Sequence, residues 1–130
     1  MQLLGLGAGE WSVEERSSVA VVDELMAAFV SRDVVRIAAL FTPEARFCMG
    51  PIGAMPQPMP PDFTDLGRAS RIEIDVRKTC ACGPIVMNDR FDRLVWPERT
   101  VSGRWIGIFE VKAGKIAGFT DYTIERQVTT

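Results

Sequence analysis

The feature that most constrains this chain is a change of hydrophobic period near its middle. Up to about residue 40, apolar residues recur at helical spacing. From residue 71 the segments "RIEIDVRKTCACG", "IVMNDRFDRLVW" and "SGRWIGIFEVKAGKIAGFTDYTIERQV" alternate with period two. Helices first and an antiparallel sheet afterwards make the α+β pattern. The spacing predicts a first helix over about 13–31, with Ser12 and Glu15 as a capping box and Val19, Val22, Leu25, Met26 and Phe29 along one face. Asp33 can cap a second, short helix, "VVRIAALF", which "TPEA" is expected to end before a strand begins at "RFCMGPIGAM". The stretch "PQPMPPDFTDLGRAS" holds four of the eight prolines and reads as a loop; Met55, Met59 and Phe63 suggest that it folds over something. "KAGK" marks a hairpin turn, and Gly103 and Gly107 inside a strand suggest bends. A strongly curved mixed or antiparallel sheet wrapped around the helices would form a cone with an interior pocket.

With 130 residues, 47% of them hydrophobic and 25% charged, the chain suits one globular domain spanning residues 1–130. The net charge is −2 and basic residues form no run, which argues against a nucleic-acid partner. No apolar run is long enough for a membrane span. "MQLLGLGAGEW" lacks the basic start and hydrophobic segment of a secretion signal. Three cysteines, an odd number, favour a reducing cytoplasm over a disulfide framework. Cys80 and Cys82 share one strand face; with only Cys48 besides, they read as packing thiols and no metal site is expected.

The chain contains no histidine. Ser-His-Asp and Cys-His catalysis are therefore excluded, and acid/base chemistry must run on carboxylates, lysine, tyrosine or cysteine. In a strand, residues i and i+2 share a face, so Asn88, Arg90, Asp92 and Leu94 point one way and Phe91, Arg93 and Val95 the other. Phe119, Asp121 and Thr123 likewise share a face, which leaves Asp121 among apolar neighbours, where a carboxylate needs a partner. Taken alone, Arg90-x-Asp92 reads as a solvent-facing ion pair rather than a site.

In order along the chain, "VVDELMAAFVSRDVVRIAALFTPEARF", "NDRFDRL", "WIGIFEV" and "GKIAGFTDYTIERQ" resemble the limonene-1,2-epoxide hydrolase family of SnoaL-like, nuclear-transport-factor-like cone folds. The resemblance covers about residues 13–127, and "GKIAGFTDY" is its most specific piece. It implies an Asp-Arg-Asp triad of Arg90, Asp92 and Asp121, with Asp92 as general acid toward an epoxide oxygen and Asp121 as general base on water. It implies no cofactor, a small lipophilic substrate, and a homodimer. The family's water-holding tyrosine and asparagine correspond here to Phe47 and Met49, neither of which can make the hydrogen bond. Phe47, Met49, Trp105 and Phe119 then describe an unusually apolar pocket, with Met26, Phe29 and Leu94 as further wall. Three functions fit this reading: hydrolysis of an epoxide, isomerisation, cyclisation or dehydration of a hydrophobic substrate in the same pocket, or small-molecule binding without catalysis.

Overall fold

In a computed structural model, the structure describes residues 10–60 and 62–130. The reading of the N-terminal stretch as no secretion signal falls largely on residues 1–9, outside the described residues. Helix α1 spans Val13–Ser31 and α2 Val34–Ala39; strand β1 spans Phe41–Pro51 and β2 Gln57–Met59, followed by the one-turn helix α3, Thr64–Gly67. Strands β3 (Arg71–Cys82), β4 (Ile85–Val95), β5 (Thr100–Lys112) and β6 (Lys115–Thr129) complete the chain. All six strands join one sheet in the order β2-β1-β6-β5-β4-β3, antiparallel except for the parallel pair β1–β6.

Local chemistry explains the element ends. The Ser12 hydroxyl accepts from the Glu15 amide at 3.0 Å, while Glu15 accepts from the Ser12 amide at 2.9 Å, the capping box anticipated above. The second Glu15 oxygen accepts from the Gly83 amide at 3.0 Å, so one side chain both caps α1 and ties it to the β3–β4 turn. Asp33 caps α2 by accepting from the Arg36 amide. The β5–β6 hairpin closes through Ala113 and Gly114, both at positive φ, as a two-residue turn of the hand that suits twisted strands.

Two sequence-based boundaries differ. "TPEA" does not precede the first strand but lies inside it: β1 starts at Phe41, and its register with β6 jumps from Phe41↔Ile116 to Arg46↔Gly118. Residues 42–45 bulge out of the ladder there, where Pro43 has no amide to donate. The proline-rich stretch contains the edge strand β2 and the turn α3. Phe63 is buried as expected of a covering loop, whereas Met55 and Met59 are exposed.

The apolar face of α1 packs chiefly on the concave sheet face, burying Val22, Leu25, Met26 and Phe29 with Ile37, Phe109, Ile116 and Phe119. Burial of a side chain of this size is worth about 1.5–3 kcal/mol. A second apolar cluster, Ala69, Ile72, Trp96, Val101 and Trp105, fills the other end of the sheet. The cysteines are all free thiols, Cys82 is exposed, and Cys80 only half-buried, so neither is core. A register shift between Val76 and Lys78 turns both toward the outer face beside Met87. No helix among the described residues is long and apolar enough to cross a membrane.

Candidate active site

Between the two apolar clusters the concave face leaves a cavity of about 690 Å³, walled by Phe29, Phe47, Met49, Leu94 and Trp105 together with Phe63, Ile72, Ile74, Trp96 and Val101. Its floor carries Arg90, Asp92 and Asp121. Met26 and Phe119, read from the sequence as pocket wall, sit behind it. Met26 is packed in the α1 core, and the Phe119 ring stacks on Phe109 at 4.4 Å with the Arg90 guanidinium above it at 5.9 Å. The residues sequence reasoning missed are the apolar ones of β3 and the β4–β5 turn. Their signal was present in the alternation of "RIEIDV", since Ile72 and Ile74 pair with Leu94 and Asp92.

Arg90 and Asp92 are not a surface pair. Arg90 is 3% exposed and Asp121 5%. The Arg90 Nε donates to both Asp92 oxygens at 3.1 and 2.9 Å, its Nη1 donates to Asn88 Oδ1 at 3.1 Å, and its Nη2 donates to Asp121 Oδ2 at 2.6 Å. One planar guanidinium therefore fixes three side chains from two strands. Asn88 acts as Arg90's third acceptor and is not among the residues that line the cavity. The solvated pair that an arginine and an aspartate on a strand suggest does exist nearby, but between Asp89 and Arg104 on the outer face, at 2.8 and 2.7 Å.

The bridge from β4 to β6 passes over β5, and Gly107 makes it possible. Gly107 pairs with Asn88 on one side and with Asp121 on the other. A Cβ there would lie 2.8 Å from Arg90 Nη1 and 2.7 Å from Phe109 Cε1. The glycine anticipated as a bend is instead the gap through which the guanidinium reaches Asp121.

Burial sets the charges. Loss of water pushes the Asp92 carboxyl up to about 6 against the opposing pull of Arg90, with Asp121 adding to the rise. Burial also raises Asp121, again opposed by Arg90. Two carboxyls sharing one cation in an apolar site favour a state holding a single proton. Asp121 Oδ1 is buried without a hydrogen-bond partner in the described structure. Such an atom keeps acceptor capacity that no described residue satisfies.

No family model and no curated protein matches the sequence. Solved structures do. An LEH-like epoxide hydrolase from M. tuberculosis superposes with a TM-score of 0.69 at 22% identity, covering 85% of this chain and 84% of that one. The chain has the nuclear-transport-factor-like cone fold. A Δ5-3-ketosteroid isomerase from Mycobacterium sp. shares the cone with a TM-score of 0.71 at 13% identity, over 87% of this chain and 98% of that one. The epoxide hydrolase/cyclase-like enzyme of pyran ring formation in the polyether salinomycin shares it at 0.66 and 17% identity, over 83% and 91%. The cone thus hosts several chemistries, and function has to be argued from the side chains of the site.

Proposed function

We propose that this protein opens the epoxide of a small lipophilic substrate by acid/base catalysis and adds water without a covalent intermediate. The observation that carries the reading is the Arg90 bridge between Asp92 and Asp121 at the floor of a cavity whose surrounding wall is largely apolar. Protonated Asp92 gives its proton to the epoxide oxygen as the carbon–oxygen bond breaks. Asp121 takes a proton from the water whose oxygen attacks the carbon, and the product is a diol. Arg90 stays cationic throughout and holds both carboxyls in place. The return of one proton from Asp121 to Asp92 resets the pair.

A second reading differs only in the nucleophile. Met49 pairs directly with Asp121, and Phe47 lies two residues before it on the same face. Neither can orient a water, which leaves the Thr123 hydroxyl as the one lining hydroxyl that can. A substrate carrying its own hydroxyl would need no held water and would close to a cyclic ether. Turnover of a cyclohexene-type epoxide in ¹⁸O-labelled water separates the two: label in a diol supports hydrolysis. A cyclic ether from a hydroxy-epoxide, with no diol, supports cyclisation. Under hydrolysis, Phe47→Tyr with Met49→Asn is expected to raise diol formation about tenfold or more; an unchanged rate counts against this account of the water site.

The pH dependence follows from Asp92. Its ordinary value is 3.8 and its folded one about 6, so the folded protein binds this proton more tightly than the unfolded chain. Stability therefore falls as pH rises from about 4 to about 6 and levels off above. The general acid is lost over the upper part of the same window, so kcat/KM should fall with an apparent pKa near 6. Asp92→Asn is expected to flatten that stretch of the stability profile, followed by urea melts across pH. A homodimer paired through the outer sheet face, where Met87 and Phe91 stand exposed, and a cytoplasmic location belong to the same reading.

A further inference from the structure

The last strand carries a feature that the Asp-Arg-Asp site does not use. Along β6, Phe119, Asp121 and Thr123 face inward, so a regular strand would next turn Glu125 toward the cavity. The register with β5 shifts instead: Arg104 pairs with Glu125 but Trp105 pairs with Thr123, leaving one extra residue in β6. Such a bulge re-aims every side chain beyond it. Glu125 joins the outer face beside Arg104, and Arg126 enters the cavity lining. The bulge thus exchanges a carboxylate for a guanidinium on the inner surface.

Arg126 falls in one row with the reactive groups. Asp92 pairs with Gly103 on β5, and Gly103 pairs with Arg126 on β6. Gly103 has no side chain, and a Cβ there would meet the Glu125 carbonyl oxygen of the bulge at 2.2 Å. Nothing projects between Asp92 and Arg126, whose backbones lie about 10 Å apart across two strand spacings. The other lining charges toward the opening have partners. Asp65 is held by Arg68 and Arg99, and Asp62 accepts from Thr64. Arg99 is paired with Asp65 and Glu98 and stacked on Trp96 at 4.0 Å. Arg126 alone among the lining cations has neither ion pair nor side-chain hydrogen bond with a described residue.

We propose that Arg126 binds the carboxylate of an amphipathic substrate whose neutral, reactive end reaches Asp92 and Asp121. The inference rests on the cavity being the substrate site and names the substrate class: a small lipophilic acid. The charge arrangement gives such a molecule one orientation. The floor, where a singly protonated carboxyl pair already neutralises Arg90, has no spare cation for an anion, while a single planar guanidinium at the opening matches a carboxylate in charge and shape. A doubly charged phosphate would meet Asp62 and Asp65 with no second free cation to balance it.

Binding tests this independently of any reaction. Trp96 and Trp105 line the cavity, so their fluorescence reports occupancy. Octanoate and octanol share chain length and differ at the end group. At a pH where octanoate is ionised and at low salt, octanoate is expected to bind about five- to tenfold more tightly than octanol. The preference should shrink with added salt, vanish in Arg126→Gln and persist in Arg126→Lys. Equal affinity for the two ligands, no binding of either, or a preference that survives Arg126→Gln overturns the proposal. An acid preference without epoxide turnover would leave it standing while the proposed reaction fails, and turnover without an acid preference would do the reverse.

Discussion

Asp121→Asn is expected to lower kcat/KM for epoxide opening by about a thousandfold while leaving stability within about 1 kcal/mol of the parent. Both halves follow from the same geometry. Asp121 lines the cavity and keeps one oxygen, Oδ1, without a partner among the described residues, and an amide cannot act as a base. The amide oxygen still accepts from Arg90 Nη2, and removing the charge relieves a carboxyl that burial already pushes toward its neutral form. A purely structural ion network predicts no activity to lose, so that any effect of the change would appear in stability alone. Steady-state kinetics and urea unfolding of the one variant separate the cases; a large loss of stability with turnover unchanged would sink the acid/base assignment.

Gly107→Ala is the other change expected to act strongly, and it touches no reacting atom. The added methyl would stand 2.8 Å from Arg90 Nη1 and 2.7 Å from the Phe109 ring. Phe109 is fully buried and stacked on Phe119, so the ring has little room to yield. Overpacking of this kind costs about 1–3 kcal/mol, and here it also drives the guanidinium off Asp121. We expect a stability loss of about 2–3 kcal/mol and at least a hundredfold drop in kcat/KM, because a shift of about 1 Å in a positioned group costs that much. Octanoate binding at Arg126, farther along the sheet beside Gly103, should fall far less. A Gly107→Ala variant as active as the parent would show that the Arg90 bridge is not required.

The fold was legible wherever the pattern is local. The period change near residue 71 marks helices before sheet, the capping box at Ser12 starts α1, and "KAGK" makes the last hairpin. These depend on neighbours within a few residues, which the sequence displays directly. The start of β1 was not legible, because it is set by the parallel pairing of Phe41 with Ile116 of β6, 75 residues away, ahead of the bulge at 42–45. Met26 and Phe29 show the limit within one helix. Both sit on the buried stripe, and only the placement of α1 on the sheet puts Phe29 at the cavity and Met26 behind it.

For the site, the sequence by itself determined the chemistry on offer: no histidine, three ionisable groups on two strands, and their shared faces by the period of two. Strand alternation cannot say which face is inside, because that depends on what the sheet wraps. The tertiary structure decided that Arg90 and Asp92 lie on the buried face and that Asp121 is their third member. It also decided that Asn88 serves Arg90, that Gly107 is a gap rather than a bend, and that an extra residue in β6 turns Arg126 inward. Each rests on register between strands far apart in the chain, and shifting a register by one residue moves every side chain to the other face.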